Sequence, residues 1–223
     1  MDVDLKGCPR FRRITLSGRV EEAKVDERRD HYWRKAKKEG FRSRAAYKLM
    51  EIQRGFKIFR KGDRVLDLGC APGGWLQLIA AEVGPKGKAV GVDRQKTEAL
   101  SYPNVALIQG DITRPEVQSR IREALGEDAH VVTSDLSPSL TGIHFQDHLR
   151  SCELVKHALA VARGVLAPGG IFLAKVFQGE ELESIVRDLK EDFGQVRRVV
   201  PTASRKASSE IYLLARGFRA PAE

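Results

Sequence analysis

Cysteine is scarce in this 223-residue chain: Cys8, Cys70 and Cys152 lie far apart and form no Cys-x-x-Cys pair. That spacing argues against both a disulfide framework and a cysteine zinc site, and a reducing cytoplasm fits it. Long apolar runs are missing too. No stretch reaches the about 20 residues that span a bilayer, and Met1-Asp2-Val3-Asp4-Leu5-Lys6 lacks the apolar core of a signal peptide. A soluble, cytoplasmic protein without membrane contact is expected. His144 and His148 are four residues apart, but no carboxylate motif accompanies them, so no metal is expected. Asn104 is the single asparagine, a scarcity that heat-adapted proteins share.

Positive charge is plentiful but confined. Residues 1–64 hold 20 Lys and Arg against 10 Asp and Glu, whereas the remainder holds 19 against 20. A one-sided cationic surface suits a nucleic-acid partner, because Lys and Arg displace the counterions condensed around phosphates. The alternative is a solvated, ion-paired helical face. Arg28-Arg29, Arg34-Lys35, Lys37-Lys38, Arg42, Arg44 and Lys48 have few acidic neighbours and are interleaved with Tyr32, Trp33, Phe41 and Tyr47, which favours the nucleic-acid reading.

The length and the 42% hydrophobic composition suffice for one substantial α/β core. Residues 1–27 show little periodicity and are expected to form an irregular extension. Residues 28–60 read as a basic helical segment, with a short helix over Arg28–Lys38 and a second capped by Ser43 and running through Arg54. From residue 61 to residue 218 strands and helices alternate. Val65–Leu68, Ala89–Val92, Val105–Gln109, Val131–Asp135 and Ile171–Phe177 read as strands, with helices near 74–83, 114–125, 146–167 and 180–193. Gln195–Val200 and Ile211–Arg216 have no helix between them and read as a hairpin. The order predicts a Rossmann-like, doubly wound α/β domain with a mostly parallel, seven-stranded sheet and one antiparallel strand.

Four polar residues stand out against this frame. Lys175 interrupts Ile171-Phe172-Leu173-Ala174-Lys175-Val176-Phe177, Asp135 ends His130-Val131-Val132-Thr133-Ser134, and Glu210 opens Ile211-Tyr212-Leu213-Leu214-Ala215. Burying an unpaired charge is costly, so such residues need partners or a task. Ligands of open α/β sheets bind beyond the carboxyl ends of the parallel strands, where Asp135 and Lys175 fall. An antiparallel last strand brings Glu210 to the same edge, and Lys48 can reach it from a helix folded over that edge. Convergence of Lys48, Asp135, Lys175 and Glu210 is therefore expected.

A cofactor signal lies in Val65-Leu66-Asp67-Leu68-Gly69-Cys70-Ala71-Pro72-Gly73-Gly74-Trp75. Glycines allow a ligand close to the backbone, and the Gly-x-x-x-Gly-Gly spacing differs from the Gly-x-Gly-x-x-Gly of dinucleotide sites. A nicotinamide cofactor is thereby disfavoured. Asp93, after the second strand, can accept hydrogen bonds from ribose hydroxyls, and Asp111, after the third, from an adenine amino group. Each alone also suits an ordinary turn.

With these residues the chain resembles the FtsJ/RrmJ-type RNA 2′-O-ribose methyltransferases, the large-subunit ribosomal RNA methyltransferase E group. The resemblance rests on Ser43-Arg44-Ala45-Ala46-Tyr47-Lys48-Leu49, the glycine segment Leu66–Trp75, Ser134-Asp135-Leu136-Ser137-Pro138, Lys175-Val176-Phe177-Gln178-Gly179 and Ser204–Tyr212, and covers roughly residues 30–216. It implies a class I S-adenosylmethionine-dependent methyltransferase fold and a catalytic tetrad of Lys48, Asp135, Lys175 and Glu210. The substrate it implies is a uridine ribose in large-subunit ribosomal RNA.

A ribose 2′-hydroxyl must be aligned with the methyl carbon and relieved of its proton. Lys175 is the candidate base, a role that burial favours and neighbouring carboxylates oppose, with Asp135 and Glu210 orienting the ammonium groups. The cofactor contacts expected are Gly69, Gly73, Trp75, Asp93, Asp111 and Asp135, although Trp75 could equally pack as a helix aromatic. Lys37, Lys38, Arg42 and Arg44 are the expected RNA-phosphate contacts. A monomer acting on RNA rather than DNA is expected. Transfer RNA as substrate, a catalytically silent RNA-binding or ribosome-assembly factor, and a nicotinamide oxidoreductase are the competing readings.

Overall fold

A computed structural model describes residues 34–204 and 209–220, together with the backbone of two short strands, β1 (Arg12–Ile14) and β2 (Val20–Glu22). These two pair antiparallel, within a stretch expected to be irregular. Residues 34–38 are helical (α1), so the first predicted helix is seen only in its last part; residues 28–33 lie outside the described residues.

Seven strands then form one sheet in the order β5-β4-β3-β6-β7-β9-β8. They are β3 (Arg64–Leu68), β4 (Lys88–Asp93), β5 (Val105–Gln109), β6 (Ala129–Ser134), β7 (Leu166–Phe177), β8 (Phe193–Val199) and β9 (Glu210–Phe218). β9 runs antiparallel to both neighbours, and the other strands are parallel to one another. The central strands read as near-continuous apolar runs because both their faces are covered.

Five helices cover them: α2 (Ala45–Phe56), α3 (Gly74–Val83), α4 (Pro115–Leu125), α5 (His144–Arg163) and α6 (Leu182–Asp192). α4 starts with Pro115 at its first position and Glu116 in its first turn, and Gly126 in a positive-φ conformation ends it. α6 buries Leu182, Ile185, Val186 and Leu189, a stripe at helical spacing. α5 ends at Arg163, short of the expected residue 167. Gly164 caps it, and Leu166 already pairs with Ala129 as the chain enters β7 through Pro168-Gly169-Gly170.

The two faces of the sheet carry separate cores. On one, Leu49 and Ile52 of α2 and Leu76 and Ile79 of α3 pack with Val65, Leu173, Tyr212 and Leu214. On the other, Ile121, Val155, Leu159, Ile185 and Leu189 pack with Leu66, Val90, Phe172 and Leu213. The basic helix α2 is thus held by apolar burial against the sheet. Ser43 does not cap it: among the described residues no side-chain hydrogen bond closes its N-terminus, and the Ser43 hydroxyl instead abuts Gly74, where a β-carbon would collide with it.

Candidate active site

The strand order reverses between β3 and β6, because β4 and β5 lie to one side of β3 while β6 and β7 lie to the other. Such a switch point opens a crevice at the carboxyl ends of the strands. Here that crevice is a cleft of about 700 Å³, lined by Gly69, Asp93, Arg94, Gln95, Asp111, Asp135, Leu136 and His157 among others. Its volume falls within the usual range for small-molecule sites.

Gly69 sits at φ +80°, and a β-carbon there would lie 3.0 Å from the backbone nitrogen of Leu136. Only glycine lets the two loops meet so closely while keeping this backbone conformation. Asp93 accepts from the amide N–H of Ala71 (3.0 Å) through Oδ2 and of Gln95 (2.8 Å) through Oδ1. Each oxygen keeps a second lone pair. Asp111 accepts from the N–H and hydroxyl of Thr113, both at Oδ1, leaving Oδ2 to accept from a ligand. The Thr113 amide holds the Asp111 carboxyl below its ordinary pKa, keeping it an acceptor.

Gly73 and Trp75, expected at the cofactor, do not line the cleft. Trp75 is buried; its indole N–H donates to the carbonyl of Ala45 (2.9 Å), and its ring lies 5.8 Å from that of Tyr212. It joins α2 to α3. Gly73 begins α3 at φ 108° and faces the Arg42 side chain.

Arg42, expected on RNA phosphate, is otherwise engaged. Its guanidinium donates to the carbonyls of Pro72, Glu98 and Ala99, and its amide N–H to Gln77 Oε1 (2.8 Å). It fastens the segment after β4 to the glycine bend. Of the other expected phosphate contacts, Lys37 and Lys38 are exposed on α1 and Arg44 is half-buried before α2. The aromatic residues between these cations do not face outward as a group. Tyr47 is buried, donates its hydroxyl to Glu39 (2.9 Å) and lies beneath the Lys35 ammonium; burial above all pushes its phenol up to about 12. Tyr32 and Trp33 lie outside the described residues.

The four separated polar residues form two ion pairs. Lys48 Nζ lies 2.6 Å from Glu210 Oε2, and Lys175 Nζ lies 3.2 Å from Asp135 Oδ1 while donating to the Asp135 carbonyl at 3.0 Å. Both lysines are buried, at 7% and 8% exposure, so the amines are lodged in the molecule rather than in bulk water. The sheet explains the meeting. Ser134 is in register with Ala174, so Asp135 emerges beside Lys175; Lys175 pairs with Tyr212 and Phe177 with Glu210. Residues two apart on a strand share a face, which sets Lys175, Tyr212 and Glu210 beneath α2.

Tyr212 is the member that sequence reasoning missed. It is fully buried, and its hydroxyl donates to Asp135 Oδ1 at 3.1 Å. Burial, then the charges of Asp135 and Glu210, hold its phenol well above its ordinary pKa. The phenol therefore stands between the two ion pairs as a fixed donor. Its signal was present in Glu210-Ile211-Tyr212, where a polar group recurs at the spacing of one sheet face.

A buried acid lies behind the glycine bend. Asp67 of β3 is 0% exposed and accepts from the Thr133 hydroxyl at 2.8 Å through Oδ1, while Oδ2 has no hydrogen-bond partner among the described residues. Burial pushes its carboxyl up to about 8; the Thr133 bond acts the other way, and the charges of Asp135 and Asp93 add to the rise.

Comparison with known proteins agrees with this architecture. Residues 41–218 match the model of the FtsJ-like methyltransferase family. Ribosomal RNA large subunit methyltransferase E of Methanothermobacter thermautotrophicus is 47% identical over 195 residues, covering 87% of this chain and 92% of that protein. Its namesake from Archaeoglobus fulgidus is 48% identical over 195 residues, covering 87% and 99%. Among solved structures, a ribosomal RNA methyltransferase from Plasmodium falciparum superposes with a TM-score of 0.71 at 30% identity, covering 80% of this chain and 98% of that one. The chain is a member of the FtsJ-like methyltransferase family.

Proposed function

We propose that this methyltransferase moves the methyl group of S-adenosylmethionine to the 2′-oxygen of a ribose in large-subunit ribosomal RNA, with Lys48, Asp135, Lys175 and Glu210 as its catalytic residues. The observation that carries the reading is the Lys175–Asp135 pair, its lysine buried and its carboxylate partly exposed on a cleft that Asp135 itself lines. The chemistry of the donor set suits the cofactor: Asp93 can accept from the ribose hydroxyls, Asp111 from the adenine amino group, and Gly69 lets its loop meet that of Leu136 beside them. When bound, S-adenosylmethionine supplies a methyl carbon made electrophilic by a positively charged sulfur.

The residues of the chain have three tasks. The cleft residues Gly69, Asp93 and Asp111 would hold the cofactor, with Asp135 on the same lining. Lys175 Nζ would orient the 2′-hydroxyl and, as a neutral amine, accept its proton. The Lys48–Glu210 pair and Tyr212 hold the geometry from α2 and β9. Exposed Lys37 and Lys38 are the expected phosphate contacts. The names of the relatives favour ribosomal RNA over transfer RNA.

The test is incorporation of labelled methyl from S-adenosylmethionine into a large-subunit ribosomal RNA transcript, followed by alkaline hydrolysis. A methylated 2′-oxygen blocks cleavage at the next phosphate, so label is expected in alkali-resistant dinucleotides. Label in mononucleotides would mean base methylation and would refute the ribose reading. Preferential labelling of transfer RNA would replace the substrate.

A further inference from the structure

The strongest feature that the proposed mechanism leaves unused is a pair of buried side chains on the first two turns of α5. His148 and Ser151 are each 3% exposed and touch neither the cleft nor the tetrad. Both reach the end of β7. His148 Nδ1 lies 2.9 Å from the carbonyl of Phe177, and Nε2 accepts from the amide N–H of Glu181 at 3.0 Å. Because Nε2 faces a donor, the ring hydrogen sits on Nδ1 and is given to Phe177. The Ser151 hydroxyl accepts from the Phe177 amide N–H at 3.1 Å while donating to the His148 carbonyl at 2.8 Å. Both backbone groups of Phe177 are therefore held by α5.

The chain is shaped to let the imidazole in. Gly179 lies against the ring so closely that any β-carbon there would overlap it. Beyond Phe177, the Gln178 amide N–H donates to the Ser209 carbonyl at 2.8 Å, tying this segment to the residue before Glu210. Phe177 itself is in register with Glu210 and two residues beyond Lys175.

We propose that His148, seconded by Ser151, is a positioning residue for methyl transfer. It clamps Phe177 and thereby sets where Lys175 and Glu210 present their charges; the inference rests on the functional reading above. Histidine suits the task because its two ring nitrogens grip two backbone groups of opposite polarity on one turn. Leucine would fill the same space and grip neither.

The experiment compares the full-length wild type with His148→Leu, which keeps the bulk, and His148→Asn, whose amide can still donate to the Phe177 carbonyl. Turnover and KM for ribosomal RNA transcript, cofactor affinity by calorimetry, and hydrogen exchange over residues 175–182 are measured. His148→Leu should lower kcat roughly ten- to hundredfold, as a displaced reacting group does, with cofactor affinity unchanged. His148→Asn should recover most of that loss. Unchanged kcat in His148→Leu overturns the proposal, as does an equal loss in both variants that follows their melting temperatures. Should His148→Leu not fold, Ser151→Ala takes its place, with the same expected split between kcat and cofactor affinity.

An inactive wild type would refute the functional reading instead. The clamp is then judged by exchange alone: protection of residues 177–181 lost in His148→Leu and kept in His148→Asn supports it, and equal protection in both overturns it.

Discussion

The hydroxyl of Tyr212 donates to Asp135 Oδ1 across 3.1 Å, on a strand whose first residue, Glu210, pairs with Lys48. Through this phenol the two ion pairs become one arrangement. Tyr212→Phe preserves the ring that packs on Trp75 and removes only the donor. The expected result is a fall in kcat of roughly tenfold, the worth of about 1.4 kcal/mol of positioning, with cofactor affinity little changed. Methyl incorporation and calorimetry on the purified variant check it, and undiminished turnover would remove Tyr212 from the site.

The Lys48–Glu210 pair invites a double-mutant cycle. Lys48 is almost wholly buried and Glu210 partly so, so losing either partner strands the other in a poorly solvated place. Lys48→Met and Glu210→Gln should each reduce methyl transfer. In stability the double variant should cost less than the two single losses summed, with a coupling of roughly 1–3 kcal/mol by denaturant titration. Strict additivity would mean that the pair does not interact.

Arg42 gives a sharper discrimination. Three of its five guanidinium N–H donors go to the Pro72, Glu98 and Ala99 carbonyls, so its loss should free the segment that lies against the glycine bend. Arg42→Ala should weaken S-adenosylmethionine binding several-fold and leave the salt dependence of RNA binding as it is. Lys37→Glu with Lys38→Glu should do the reverse, weakening RNA binding and shallowing its salt slope by about one unit for each phosphate no longer neutralised. Salt titrations of both variants separate the two roles.

These cases also mark how much could be read from the chain. The central strands were legible because burial on both faces writes them as apolar runs, and a charge inside such a run, Lys175, or at its end, Asp135, advertises itself. The doubly wound sheet followed from the order of strands and helices, but the place of the switch point, between β3 and β6, did not. The partners of Arg42 and Tyr212 were not legible, because they lie far along the chain: Arg42 meets Glu98 and Ala99 at separations of 56 and 57 residues, and Tyr212 meets Asp135 at 77. A cation in a basic stretch looks the same whether it faces phosphate or binds carbonyls of its own fold. The end of α5 was misread because Leu166-Ala167 continues a helical apolar pattern, and only pairing with β6 recruits it to the sheet.

Asp67 yields a prediction in pH. Its carboxyl is held up at about 8 by burial, against an ordinary value of 3.8. The folded state therefore binds this proton more tightly than the unfolded chain does. The resulting stabilisation is complete below about pH 4 and is lost progressively as pH rises toward and through 8, where the buried group must ionise. Asp67→Asn carries a permanently neutral amide of the same shape. Relative to wild type it should gain stability as pH climbs from 6 to 9, flattening the decline, while the difference shrinks toward acid. Melting temperatures of the two proteins across that range check the sign; a wild-type disadvantage that shrinks as pH rises would show that Asp67 is ionised in the fold and satisfied there.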